Sequence, residues 1–132
     1  MTMRTLIPFR TAVATMLVVF SLFLIFHVLV IAGVVPQEIV WGGRMSTRAE
    51  LVQFEIVSIA TLLLSAVAVY AYGRRRQAGQ RAIVLRILMW ILVALFVLNT
   101  IGNIFAQTDF ERYAFTPVTV ILALLALRLA ID

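Results

Sequence analysis

The chain contains no cysteine and no lysine, and its 132 residues include a single histidine, His27. Without cysteine, disulfides, thiolate metal sites and cysteine nucleophiles are excluded. One histidine cannot supply two protein ligands to a haem, and the sequence has no HExxH, GxSxG or phosphate-binding loop. We therefore assign no catalytic residue, no metal site and no cofactor from the sequence.

Charged residues are also scarce, at 13% of the chain, whereas 64% of the residues are hydrophobic. Soluble domains are about half apolar and about a quarter charged, so this composition indicates a lipid environment. A membrane-spanning helix needs about 20 apolar residues, and four segments qualify: 11–35, 48–72, 82–106 and 109–130. The sequence predicts one all-α membrane domain over residues 1–132, a bundle of four transmembrane helices arranged as two hairpins.

The arginines predict the orientation of this bundle. Of the eleven basic residues, eight lie towards the end that carries both termini and the link between the second and third helices. The other three, Arg44, Arg48 and Arg112, lie towards the opposite end. By the positive-inside rule, both termini are cytoplasmic, and we expect a multi-pass protein of the bacterial cytoplasmic membrane. Because the charge of +5 is spread over helix ends, we expect the lipid bilayer as partner and no nucleic acid.

Local signals predict where these helices begin and end. Gly73, which is followed by three arginines, is expected to end the second helix. The segments 47–50 and 108–111 have the Thr-x-x-Glu pattern of a capping box, in which the hydroxyl accepts from a backbone N–H and the Glu reaches back. Pro117 is expected inside the fourth helix, where its ring clashes with the carbonyl of Tyr113 and kinks the helix.

Five polar side chains are expected within the spanning segments: His27, Glu55, Asn99, Asn103 and Thr116. Ionisable groups inside a bilayer are costly and usually face the bundle interior or a water-filled cavity. Four of the five lie about 12 Å inside the same end of the bundle, at 1.5 Å per residue, and Asn103 shares a helix face with Asn99. We take all five as candidate ligand-binding residues. The alternative is that they form hydrogen bonds that only fix helix packing.

The loop between the first two helices is rich in functional groups. Trp41 suits the membrane interface, and the two glycines that follow it permit a left-handed turn. We take Glu38, Trp41 and Arg44 as candidate pocket-mouth residues. An ordinary hairpin turn with an interfacial Trp explains these residues equally well.

Three functions fit this pattern. The first is a binding or transport module that holds a small polar or amphipathic ligand in the outer half of the bilayer. The second is a structural or accessory membrane subunit whose polar layer only fixes packing. The third, ranked last, is an intramembrane enzyme that uses His27 and Glu55 as acid and base on a lipophilic substrate. A channel would require a homo-oligomer, because four helices enclose a small pocket rather than a pore.

Overall fold

The computed structural model describes residues 2–132, and within them the chain forms helices and no strands. In chain order the helices are α1 (Met3–Leu6), α2 (Phe9–Ile31), α3 (Arg48–Gln77), α4 (Ile83–Ile104) and α5 (Thr116–Ala130). Two short 3-10 turns, Gln37–Ile39 and Trp41–Gly43, lie in the first loop, which we define as residues 32–47. A π turn, Glu111–Phe115, leads into α5.

Four helices are long and apolar enough to cross a membrane: α2, α3, α4 and α5 together with its π turn. Large apolar side chains also cover the outward surfaces of these helices, including Leu64 on α3 and Val84 on α4. A soluble monomer rarely exposes so much contiguous apolar surface, whereas lipid covers it at no cost. The prediction of an all-helical protein with four membrane-length helices is confirmed.

The main core lies between the four long helices. α2 packs against α3 and α5, and α4 packs against α5 and α3, so each long helix has two principal neighbours. Phe20, Tyr72, Met89 and Leu129 come from different helices and meet in this core. A smaller apolar cluster around Val40 lies beneath the first loop. The candidate site lies between the two clusters.

α2 and α3 both end at a left-handed glycine. After α2, the N–H of Gly33 bonds to the carbonyl of Val30 and the N–H of Val34 bonds to the carbonyl of Leu29, with an N–O distance of 3.0 Å in each case. This is the Schellman motif, which needs a residue with positive φ, and Gly33 has φ 78°. Gly79, with φ 71°, ends α3 in the same way. α2 therefore stops before the predicted end at residue 35.

Gly73 does not end the second long helix, and that prediction was wrong: the residue lies inside α3, which continues to Gln77. A Cβ at Gly73 would lie only 3.0 Å from a methyl group of Val13 on α2. Small residues at such positions let membrane helices approach closely. The glycine therefore serves the packing of α2 on α3.

The two predicted capping boxes have different outcomes. Thr47 is the N-cap of α3 and accepts from the backbone N–H of Glu50 at 3.2 Å, but the Glu50 carboxylate bonds to Ser46. The second box does not form, because the Thr108 hydroxyl bonds to the Glu111 carboxylate. Glu111 is instead directed towards the first loop.

Pro117 lies within a helical segment that starts at residue 109, as predicted. The helix accommodates it with the π turn Glu111–Phe115 rather than with strained α-helical geometry. A π turn adds a residue to the turn, so the ring avoids the carbonyl with which it would clash in a regular α-helix. This local rearrangement places Glu111 in the candidate site.

At the opposite end, arginines gather around the C-terminus of α5. Arg86 Nε donates to the carbonyl of Ala130 at 2.9 Å, and Arg76 pairs with the Asp132 carboxylate at 2.8 Å. Arg128 is buried and lies 3.4 Å from the same carboxylate. These groups satisfy helix-end carbonyls and complement the helix dipole, so their role is structural.

Candidate functional site

Glu55 on α3 is the most deeply buried carboxylate among the described residues, with 1% exposure. Its Oε1 accepts from Trp41 Nε1 at 2.7 Å, and its Oε2 lies 2.5 Å from His27 Nδ1. Because an unpaired buried carboxylate costs several kcal/mol, on the order of 3–5, these two bonds are what allow Glu55 to be buried. They join α2, the first loop and α3 at one point.

His27 packs beside Phe23 and Phe26 on α2, with ring centroids 6.5 and 5.8 Å away. With the proton on Nδ1, the imidazole donates to Glu55 and its Nε2 is an acceptor. Among residues 2–132, Nε2 makes no hydrogen bond. This atom is not fully buried. His27 is one of the residues that line the cavity described below. A carboxylate that orients one ring nitrogen leaves the other free for a ligand or a proton.

The first loop reaches the site through three consecutive left-handed residues. The φ angles of Trp41, Gly42 and Gly43 are 54°, 67° and 69°. In this conformation the Trp41 indole donates to Glu55, while the backbone N–H of Gly42 lies 2.5 Å from Oε2 of Glu111. Two adjacent loop residues thus hold carboxylates from two different helical segments.

Glu111 is a site residue that the sequence reasoning missed. It is buried, lines the same cavity as His27, and accepts from the Thr108 hydroxyl at 3.0 Å. Its second oxygen, Oε1, has no partner within the described part of the chain and is not fully buried. The sequence pattern Thr-x-x-Glu fits both a helix cap and a Glu111 side chain that is directed into the bundle. The π turn before Pro117, which the pattern does not reveal, accompanies the second arrangement.

A second polar cluster joins α4 to α5. The Thr119 hydroxyl lies 3.0 Å from that of Thr100 and 3.4 Å from Nδ2 of Asn103. Neither Thr100 nor Thr119 was predicted as a site residue, although Thr119 lines the cavity. The neighbouring Thr116 hydroxyl is buried without a hydrogen bond and does not line it.

These groups surround a cavity of about 410 Å³, which lies in the size range of small-molecule sites. Much of its wall is apolar, including the rings of Phe23, Phe26, Phe96 and Phe115. The wall is incomplete between α3 and α4, where the lining side chains are exposed: Val57, Thr61, Leu98 and Asn99. The cavity therefore opens sideways, on the surface that lipid would cover.

Six of the eight candidate residues line this cavity: His27, Trp41, Arg44, Glu55, Asn99 and Asn103. The other two, Thr116 and Glu38, do not; the backbone carbonyl of Glu38 lies against Gly43 instead. Binding of a ligand by the six stays a prediction. Glu111, Gly42 and Thr119 join them in the lining without having been predicted.

Within residues 2–132, no group of three or more His, Cys, Asp or Glu residues is arranged to hold a metal ion. Comparison of the chain with known protein families, curated proteins and solved structures finds no match. The function is therefore inferred from the chemistry of the cavity itself.

Proposed function

We propose that this protein is a membrane-embedded binding module whose cavity holds a small amphipathic molecule. The observation that carries the proposal is the juxtaposition of three buried or half-buried polar residues, His27, Glu55 and Glu111, on the wall of a largely apolar cavity. An apolar lining with a few placed polar groups is the usual composition of a small-molecule site. The polar groups would orient the head of the ligand, and the phenylalanines would surround its body.

The lateral opening supports entry from the bilayer. Ser58, Thr61 and Ser65 of α3 line this side of the cavity, and each hydroxyl donates to a carbonyl one turn back in its own helix, over 2.7 to 3.0 Å. Their hydrogen-bonding capacity is largely used within the helix. An apolar ligand could thus pass them without leaving a polar group unpaired, which would be costly in lipid.

The protein is proposed to lie in the bacterial cytoplasmic membrane, and the arginine distribution supports an orientation with both termini in the cytoplasm. In that orientation, and with the helices as two hairpins, the first loop lies on the outer side. The cavity would then open to the outer half of the bilayer. A ligand would reach it from that leaflet, in either a binding or a transport role.

Two other functions have a specific observation in their favour. Both oxygens of Glu55 are bonded to the protein, which favours a structural role in fixing α2, α3 and the first loop. The free Nε2 of His27, oriented by Glu55, favours proton transfer in an enzyme. Lipid alone would fill the apolar part of a cavity that opens sideways, but the buried carboxylates of Glu55 and Glu111 on its wall favour a ligand that also has a polar head.

A cavity-filling substitution tests the proposal. Gly102 lines the cavity, and a Cβ there would meet no atom within 4 Å, so Gly102→Phe is the substitution designed to place a ring in this space. Ile101→Phe is the matched control, because Ile101 is exposed and does not line the cavity. Native mass spectrometry of protein released from its membrane should show a bound small molecule in the wild type and in Ile101→Phe, and none in Gly102→Phe. Equal occupancy in all three proteins, or none in the wild type, would contradict the proposal and favour the structural role.

A further inference from the structure

The charge of the cavity wall narrows the class of ligand. Two carboxylates, Glu55 and Glu111, contribute to the wall with 1% and 8% exposure. The groups that bond to them are an indole, a hydroxyl, a backbone amide and an imidazole, none of which carries a permanent positive charge. The one guanidinium in the lining, that of Arg44, is exposed and makes no hydrogen bond to another described residue. We propose that the preferred occupant of this cavity is an organic cation, a protonated amine with an apolar body.

This inference rests on the proposed function and deepens it. In surroundings of low dielectric constant, a cation near a carboxylate that has no permanent cation beside it interacts far more strongly than in water. The hydrogen bonds between such partners are also about twice as strong as those between neutral groups. A protonated amine would therefore be held more tightly than a neutral molecule of the same shape.

The free donors of the wall belong to the exposed side chains of Arg44 and Asn99, whereas the free atoms of its buried and half-buried residues are mainly acceptors. Glu111 Oε1, His27 Nε2 and the side-chain oxygen of Asn103 make no hydrogen bond within the described residues. The Trp41 N–H, which could have served as a donor, is already bonded to Glu55. A ligand head that lies against the buried acceptors must bring donors. An ammonium group supplies up to three and accepts none.

The aromatic rings provide the second half of the argument. Phe115 lies at 5.5 Å from Phe23 and at 5.1 Å from Phe26, edge to face in both pairs, and all three rings line the cavity. Cations are attracted to aromatic faces within about 6 Å of the ring centroid, and the attraction is stronger where water is excluded. A bare metal ion fits this wall poorly, because the described acids and His27 are not arranged to coordinate one.

Binding of three probes with one carbon skeleton tests the inference. We would measure phenylbutylamine, phenylbutanol and phenylbutanoate by calorimetry on the full chain in nanodiscs of phosphatidylcholine, with empty nanodiscs as baseline. The amine should bind at least about tenfold more tightly than the alcohol, which corresponds to about 1.4 kcal/mol, and the carboxylate should bind most weakly.

Glu111→Gln provides the matching variant. Its amide oxygen can still accept from Gly42 and Thr108, but the atom that has no partner in the protein changes from an acceptor to a donor. Affinity for the amine should fall at least about tenfold, with affinity for the alcohol unchanged. Asp109→Asn removes a carboxylate that is close in the chain but 82% exposed and outside the cavity lining, and should leave both affinities as in the wild type.

The outcomes separate this inference from the proposed function. If the alcohol binds as tightly as the amine, or the carboxylate binds best, the cavity binds ligands but the cation preference is wrong. If Glu111→Gln binds the amine as the wild type does, the assignment of Glu111 is wrong. Should Glu111→Gln fail to fold, the order of the three probes on the wild type still decides. If none of the three binds, both the inference and the proposed binding function are contradicted.

Discussion

The indole N–H of Trp41 donates to the Glu55 carboxylate at 2.7 Å, and the backbone of Trp41 has a left-handed conformation with φ 54°. For a residue with a Cβ this conformation costs about 1–2 kcal/mol. Such strain persists where the surrounding contacts hold it, and it is frequent at functional sites. Here the bond to Glu55 and the packing of the indole on Phe54, with 5.1 Å between ring centroids, offset the cost. The first loop is thereby fastened to α3 beside the cavity.

Replacement of Glu55 should change the protonated nitrogen of His27. In the wild type we expect the proton on Nδ1, facing the carboxylate. In Glu55→Gln, the amide oxygen can accept from Trp41, which turns the amide NH₂ towards Nδ1 and moves the imidazole proton to Nε2. Nitrogen-15 NMR of labelled histidine reports this directly, because His27 is the only histidine. A wild-type spectrum with the proton on Nε2 would contradict the assignment of His27 as the donor, because Glu55 would then have to be protonated and donate to Nδ1.

Two substitutions at Glu55 should distinguish the contribution of its hydrogen bonds to stability from the contribution of its packing. Glu55→Ala leaves two donors, Trp41 Nε1 and His27 Nδ1, without their acceptor, and should lower the free energy of unfolding by about 1–3 kcal/mol. Glu55→Gln keeps a partner for each and should lower it less. Unfolding in mixed micelles, followed by circular dichroism, compares the two variants. Equal losses would show that the hydrogen bonds contribute little.

Alanine substitutions at two left-handed glycines, Gly33 and Gly43, test how tightly the first loop is packed. Gly33→Ala introduces only the backbone cost, about 1 kcal/mol, because a Cβ there meets nothing within 4 Å. At Gly43 the same substitution also brings the Cβ to 3.1 Å from the carbonyl oxygen of Glu38. Gly43→Ala should therefore destabilise the protein more than Gly33→Ala in the same unfolding measurement. The reverse order would mean that the loop adapts freely.

Two helical glycines should respond to alanine in opposite directions. Gly102→Ala should stabilise α4 by about 0.5–1 kcal/mol, because alanine is the better helix former and the added Cβ lies in open space. At Gly73 the added Cβ would lie 3.0 Å from the Val13 side chain, so Val13 must shift by a few tenths of an ångström within the buried contact of α2 with α3, and we expect the protein to be destabilised. If Gly73→Ala is as stable as the wild type, the close approach is not required.

The contacts of Asp132 predict that the folded protein loses a small part of its stability at acid pH. Burial tends to raise the pKa of this carboxyl, but the hydrogen bonds from Arg76 and Arg128 outweigh burial and hold the pKa below its ordinary range. Because the folded-state pKa is the lower one, the stabilisation is complete above the unfolded pKa of about 3.9. It is lost as the pH falls through the folded-state pKa.

The Asp132→Asn variant isolates this contribution. It should lower the free energy of unfolding at pH 7 by at most about 1 kcal/mol, and the difference from the wild type should shrink at pH values below the folded-state pKa. Asp109→Asn is the control, since that carboxylate is 82% exposed and lies 3.7 Å from Arg112. A difference for Asp132→Asn that persists unchanged in acid would contradict the assignment.

The proposed orientation can be tested with single cysteines, because the natural chain has none. Gln80 lies in the link between α3 and α4 and Gln107 in the link between α4 and α5, and both are exposed. In intact cells a membrane-impermeant maleimide should label Gln107→Cys and not Gln80→Cys, and permeabilised cells should show labelling of both. Labelling of Gln80→Cys alone in intact cells would reverse the orientation.

The sequence was sufficient for features that depend on a single segment. The four membrane-length helices follow from hydropathy, since a spanning helix must satisfy its own backbone whatever its neighbours are. The Thr47 cap follows from a bond between residues close in the chain. His27 and Glu55 stood out because ionisable groups in apolar segments are costly, and they prove to be paired.

Glycine and proline could be placed less securely from the sequence. Gly73 resembles a helix end when only its neighbours in the chain are considered, but the approach of Val13 from α2 gives it a packing role. Conversely, Gly33 and Gly79 end helices by adopting positive φ. The internal position of Pro117 was correct, but the π turn that accommodates it was not foreseen.

The fastening of Trp41 to Glu55 shows most clearly what only the tertiary structure decided. The sequence indicated that both residues could contribute to a polar pocket, because a tryptophan in a short loop and a carboxylate in an apolar helix are each unusual. It could not show that Gly42 would hold Glu111 beside them, or that Thr116 would face away from the cavity. The direction of a side chain on a helix depends on helix rotation and on local irregularities such as the π turn, and both are set by packing against the other helices.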